Sequence, residues 1–158
     1  MLTYKQLLRI IPYKKSVFND RKNKVHTSVT KVEVVGRGGK EGIKFHATGR
    51  AHTEKVYYPV EIEMYPAIIA SAKGLERYKS ANEDTHCWVK CGCPFFKFHC
   101  AWVLSTNYGS SELGDCLDRP PKITNPEMKV YVCKHLHAIL PIMLKQIQGL
   151  AMPSAKKK

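Results

Sequence analysis

A chain of 158 residues suits one domain, or one domain with an appendage, and its 44% hydrophobic content allows a real core rather than a fold held by metal alone. No run reaches about 18 consecutive apolar residues, so a membrane-spanning helix is excluded, and the first residues lack the apolar core of a secretory signal, so an intracellular protein is expected. The net charge of +13 is uneven: residues 1–50 hold 12 Lys+Arg against 3 Asp+Glu (+9), and residues 51–158 hold 14 against 10 (+4). Such a field attracts polyanions, nucleic acid first, with an acidic protein surface as the other candidate.

In chain order, residues 3–11 read as a short amphipathic helix capped by Thr3 and ended by Pro12. Residues 12–24 are basic and loop-like. Residues 25–64 have the pattern of a three-stranded antiparallel meander with strands at about 26–35, 43–50 and 55–64. The glycine-rich stretch Gly36-Arg-Gly-Gly-Lys-Glu-Gly42 joins the first two as a flexible tip. In the second strand Ile43, Phe45 and Ala47 share one face, and Lys44, His46, Thr48 and Arg50 the other. In the third, Val56, Tyr58, Val60, Ile62 and Met64 form the apolar face. A helix is expected over about 66–79, opened by Pro66 and striped by Ile68, Ile69, Ala72 and Leu75, with Gly74 against it. Residues 86–91 read as a strand and 95–105 as a short helix, with strand as the other option. Residues 106–127 read as a long loop, Met128–Val132 as a short strand, and 134–149 as a helix kinked by Pro141. The division expected is a basic sheet-plus-helix unit at 1–85, a zinc finger with a long insertion at 86–150, and a basic tail at 151–158.

Five of the six cysteines fall within residues 87–116 and none in the first 86, which in a chain read as intracellular favours metal over disulfides. A structural zinc ion takes four soft or borderline ligands in a tetrahedron. Cys91-Gly-Cys93-Pro and Cys133-Lys-His135 supply two local pairs. Gly92 permits a tight bend between the first two sulfurs, and a helix N-terminus at Cys133 favours its thiolate. Cys87 or Cys100 in place of a sulfur, His137 in place of His135, and plain buried cysteines are the alternatives.

Cys-Gly-Cys-Pro-x-Phe-x-Phe followed by Val-x-Val-Cys-Lys-His-Leu-x-Ala-Ile-Leu resembles the SWIM-type zinc finger, whose pattern is Cys-x-Cys, a spacer, then Cys-x-His. The resemblance covers about residues 86–145 and implies one structural Zn2+ on Cys91, Cys93, Cys133 and His135, in a strand–strand–helix fold. It also implies DNA- or protein-binding roles. The spacer, residues 94–132, is long for the family, and long-spacer versions are similar to ones from large tailed bacteriophages, which implies a viral protein.

Other chemistries fit poorly. Gly39-Lys40 is followed by Glu41 where a phosphate-binding loop needs Ser or Thr. Four ligands fill a zinc ion, leaving no open position for hydrolysis, and the deaminase motifs are missing. No enzyme is expected. Phe95, Phe96, Phe98, Trp102 and Tyr108 are read as core rather than base-stacking residues, with Trp102 and Tyr108 the least committed. The expectation is an α+β protein, an antiparallel meander with a helix followed by the finger. It is expected to bind nucleic acid phosphate through Lys14, Lys15, Arg21, Lys22, Lys24, Arg37, Lys40, Lys44 and Arg50, without contacting membrane. The rival is a structural or assembly module, a virion component or accessory subunit, using the finger for protein contact.

Overall fold

Alternating Val, Ile, Phe and Tyr residues build the sheet that carries everything else. The computed structural model describes residues 1–10, 25–37, 40–51, 56–65, 68–69, 77–78, 83–113 and 120–149. Strands β1 (Val25–Arg37), β2 (Lys40–Ala51), β3 (Tyr57–Tyr65) and β6 (His86–Cys91) form one sheet, antiparallel throughout, in the order β1-β2-β3-β6. Its register sets Phe45 opposite Ile62, and Ile62 opposite Val89. Ile43, Phe45 and Ala47 of β2, Val60, Ile62 and Met64 of β3, and Cys87, Val89 and Cys91 of β6 are buried on one face, as period-two alternation requires.

The final helix, α3 (Lys134–Gly149), lies against β1, β2 and β6 and buries Leu136, Ile139, Leu140 and Met143. Each such side chain contributes about 1.5–3 kcal/mol when fully removed from water. The first helix, α1 (Tyr4–Arg9), has the expected Thr3 cap, with Gln6 closing a reciprocal capping box. Tyr4 and Leu7 are buried, and the Tyr4 hydroxyl donates to the carbonyl of Leu140 on α3. The N-terminal segment also pairs with the approach to β6: Tyr4 N–H donates to Thr85 O and Cys87 N–H to Leu2 O, each at 2.8 Å. Residues on both sides of position 85 therefore share one sheet and one buried cluster, which runs from Leu2 to Met143.

The structure departs from the sequence reading in five places. Ile68–Ile69 (β4) and Arg77–Tyr78 (β5) pair as antiparallel strands where a helix over 66–79 was expected, in keeping with the β preference of Ile and Tyr. No strand forms at Met128–Val132. Met128 is left-handed (φ 50°), and the Asn125 side chain takes both the N–H and the C=O of Lys129, the groups a ladder needs. The short helix read over 95–105 is present, running from Pro94 through a π-helical turn (Phe96–Cys100) into α2 (Ala101–Thr106), and with it a strand–helix–loop–helix stands where the resemblance implied strand–strand–helix. Val56 is 52% exposed rather than part of the apolar face, because pairing of β3 begins only at Tyr57. The β1–β2 ladder extends to Arg37↔Lys40, so Gly36 and Gly42 lie in strands. The basic stretch 12–24 and the tail 151–158 lie outside the described residues, as does Cys116. No helix among the described residues is long and apolar enough to cross a membrane.

Candidate metal centre

β6 ends at Cys91, opposite Val60 on β3. Gly92 follows, and its role differs from the sharp bend expected of it. Its φ is not left-handed, but a Cβ there would lie 3.0 Å from Pro59 Cδ, so glycine lets β6 pass close to β3. The Gly92 N–H donates to Pro59 O at 2.9 Å, which pins the crossing.

Cys93 then starts a helix in the manner of a capping residue. Its carbonyl accepts from Lys97 N–H at 3.2 Å, and its Sγ accepts from Phe96 N–H at 3.3 Å. Pro94 occupies the first helical position, where the missing N–H costs nothing. Cys133 repeats the arrangement at the head of α3: its carbonyl accepts from His137 N–H at 3.0 Å and its Sγ from Leu136 N–H at 3.5 Å. Two helix N-termini thus converge on the same point, and each offers a partial positive charge and a backbone N–H to a sulfur. The sequence indicated this for Cys133 alone.

The ligand atoms of Cys91, Cys93, Cys133 and His135 all lie within 4.8 Å of one another, and all four residues are buried. Zinc–sulfur bonds of about 2.3 Å in a tetrahedron put sulfurs about 3.8 Å apart, so at most about 1 Å of side-chain adjustment closes the group on one ion. His135 is 1% exposed, and neither ring nitrogen has a hydrogen-bond partner among the described residues. A buried imidazole with both nitrogens unmet is costly, and a metal bond to one of them removes much of the cost. The donor set, three sulfurs and one imidazole, also suits a soft or borderline cation. The group is therefore fit to hold a metal ion.

The sulfurs' acidities agree with this. Cys93 is held well below the ordinary thiol range by hydrogen bonds from Cys133 and Cys91, which outweigh its burial. Cys133 is pushed well up, first by burial and then by the two neighbouring sulfurs. For Cys91 the pull of Cys133 downward is overcome by Cys93 and burial, and its thiol ends high. Cys93 is thus the sulfur of the three that gives up its proton most readily. A dication would displace the sulfurs' remaining protons.

A close wall holds the imidazole in place. A Cβ on Gly49 of β2 would lie 2.9 Å from His135 Cδ2 and 3.0 Å from its Cβ. Tyr58, paired with Gly49 across β2–β3, sets its ring 5.2 Å from the imidazole at 58°. Sequence reasoning missed Gly49. Its signal was a glycine continuing the buried Ile43, Phe45, Ala47 alternation, which marks a close approach.

The alternative ligands fall away from this cluster. The Cys87 thiol donates to Thr85 O at 3.4 Å, and burial pushes its pKa far above the usual thiol range. Cys100 is fully buried on the π-helical turn, and burial followed by the charges of Cys93 and Cys91 raises it likewise. His137 is half-buried on α3, outside the group.

The nucleic-acid candidates fare differently. Lys14, Lys15, Arg21, Lys22 and Lys24 lie outside the described residues, and only the backbone of Arg37, Lys40 and Arg50 is described. Lys44 is engaged by Glu61 at 2.8 Å and Glu63 at 3.4 Å. Across the same sheet face Glu33 meets His46 at 2.7 Å and Lys31 at 2.6 Å, and Lys90 pairs with Glu112. The face expected to be basic thus carries matched charges where its side chains are described. Among the aromatics, Phe96 is buried, Phe95 stacks on His99 at 4.3 Å, and Trp102 and Tyr108 are half-buried. Phe98 is the one left 44% exposed.

Comparisons with known proteins return no matching family model, no matching curated protein and no matching solved structure.

Proposed function

We propose that this chain is a non-enzymatic binding module stabilised by one structural zinc ion on Cys91, Cys93, Cys133 and His135, and that it contacts nucleic acid phosphate. The observation that carries the zinc reading is the buried His135 ring, with no hydrogen-bond partner at either nitrogen among the described residues, beside three buried sulfurs within 4.8 Å. Zinc is the natural occupant of a buried, closed Cys3His set, and four protein ligands leave no position for a substrate. The Cys-x-Cys and Cys-x-His pairs keep the SWIM-like ligand pattern, although the chain between them is helical rather than extended. Nucleic acid is the partner favoured by the net charge of +13.

Two measurements test this. Purified protein should carry one zinc per chain, and Cys133→Ser and His135→Ala should each lose it; full zinc in both variants would overturn the ligand set. Binding to nucleic acid should weaken steeply between low and physiological salt, because counterions are released from phosphates. Salt-independent binding, or a fixed copy number in a purified particle that nuclease leaves unchanged, would favour the assembly role instead.

A further inference from the structure

Within the segment between the ligand pairs, residues 120–129 form an organised loop. Lys122 N–H donates to Pro120 O and Asn125 N–H to Pro121 O, both at 2.8 Å, forming a turn. That turn is tied to the π-helical turn by three further bonds. The Thr124 hydroxyl donates to Phe98 O at 2.7 Å, His99 Nδ1 lies 3.0 Å from Thr124 O, and Asn125 Nδ2 donates to His99 O at 3.1 Å. Asn125 itself is 2% exposed. The loop is therefore fixed on the helical segment that begins at the candidate ligand Cys93.

This fixed loop presents what a core would normally hide. Ile123 is 95% exposed, and Phe98, whose carbonyl receives the neighbouring Thr124, is 44% exposed. Lys97 and Lys122 immediately precede them in the chain; both are exposed, and neither has an ion-pair partner among the described residues. Residues 92–111 and 120–126 contain no Asp or Glu. Two exposed apolar residues on one hydrogen-bonded support, with lysines that have no ion-pair partner among the described residues, differ from the sheet face, where Glu33, Glu61, Glu63 and Glu112 answer the cations.

The geometry points to this ridge as the contact surface for single-stranded nucleic acid: Phe98 stacks on an unpaired base, Ile123 covers its neighbour, and Lys97 and Lys122 meet the adjoining phosphates. The inference rests on the nucleic-acid reading above and gives it a place and a strand state. Stacking platforms work on this combination of an aromatic face with a basic border, and every base has a face to offer. A rigid platform also avoids the entropy cost of ordering a loop on binding.

The test uses full-length zinc-loaded protein and labelled oligothymidylate, with a duplex as comparison. Phe98→Ala should weaken single-strand binding about tenfold or more, and Phe98→Trp should restore it. Ile123→Ser should weaken it as well. Lys97→Gln and Lys122→Gln should each lower the salt slope by about 0.7, the value for one single-strand phosphate. Zinc content and thermal unfolding of each variant report that the fold is intact. Wild-type binding with Phe98→Ala and Ile123→Ser unchanged would overturn the ridge alone. No binding by the wild type to any nucleic acid would overturn both the ridge and the nucleic-acid reading. Loss confined to the duplex, or capture of an acidic protein by the same residues with no effect on oligothymidylate, would overturn the single-strand assignment.

Discussion

Gly49 makes a sharp demand on a single residue. A methyl group there would stand 2.9 Å from His135 Cδ2, well inside contact distance, and the β2 backbone cannot retreat without breaking its pairing to Tyr58. Gly49→Ala should therefore displace the imidazole and, on the proposed zinc reading, weaken metal affinity about 10–100-fold, the range found when groups that orient a ligand are altered, while the four candidate ligands remain. Competition with a chromophoric chelator would measure this. Glu33 gives a second residue-scale prediction. Hydrogen bonds from Lys31 and then His46 hold its carboxyl down at about 2, against an ordinary value of 4.5. A depressed acid contributes stability that is fully present above its unfolded value and is lost as pH falls through the folded one. The contribution of Glu33 should thus fade between about 4.5 and about 2. Carboxyl NMR should place its midpoint near 2 in the wild type and closer to the ordinary value in Lys31→Ala.

At the scale of elements, Asn125 does more than its place in a polar loop suggests. Its amide donates to His99 O and Lys129 O, and its carbonyl accepts from Lys129 N–H, all within 3.1 Å. It takes the place of a strand at 128–132 and ties the loop to the π-helical turn that follows Cys93. Asn125→Ala removes three part-buried hydrogen bonds and should cost about 1–3 kcal/mol in a urea unfolding experiment. The Asn-Pro dipeptide at 125–126 marked a turn in the sequence, but nothing local indicated that its side chain would reach 26 residues back. The final helix was more legible. Leu136, Ile139, Leu140 and Met143 fall at helical spacing and are all buried. The helix expected at 66–79 failed on the same reasoning, because a short apolar run with two adjacent isoleucines fits strand or helix equally and only the Ile68↔Tyr78 pairing decides.

Across the whole molecule, the metal would join the end of β6, the helix that begins after Cys93 and the head of α3, while the β2–β3 ladder does not pass through it. Phe45, Ile62, Met64 and Val60 are buried by sheet and helix packing alone. On the proposed zinc reading, stripping the metal should therefore loosen the two helix N-termini before it loosens the sheet. In hydrogen exchange, amides at the start of α3 should lose protection in the metal-free protein, and those pairing β2 with β3 should keep most of theirs. Equal loss in both regions would mean that the sheet depends on the metal as well. This behaviour follows from linkage: an ion that binds only the folded arrangement lends its binding energy to the parts that hold it.

The sequence by itself determined the strands of the meander, the Thr3-capped first helix, the amphipathic last helix and the identity of four residues able to share a cation. Each of these is written in local terms: alternation, helical spacing, or two ligands one residue apart. Tertiary structure alone decided the rest. It kept residues 128–132 out of any sheet, pressed Gly49 on the His135 ring, set carboxylates against the cations of the sheet face, and left Phe98 and Ile123 in solvent. Those outcomes depend on partners distant along the chain, and a residue's neighbours in space are fixed only when the whole core has closed.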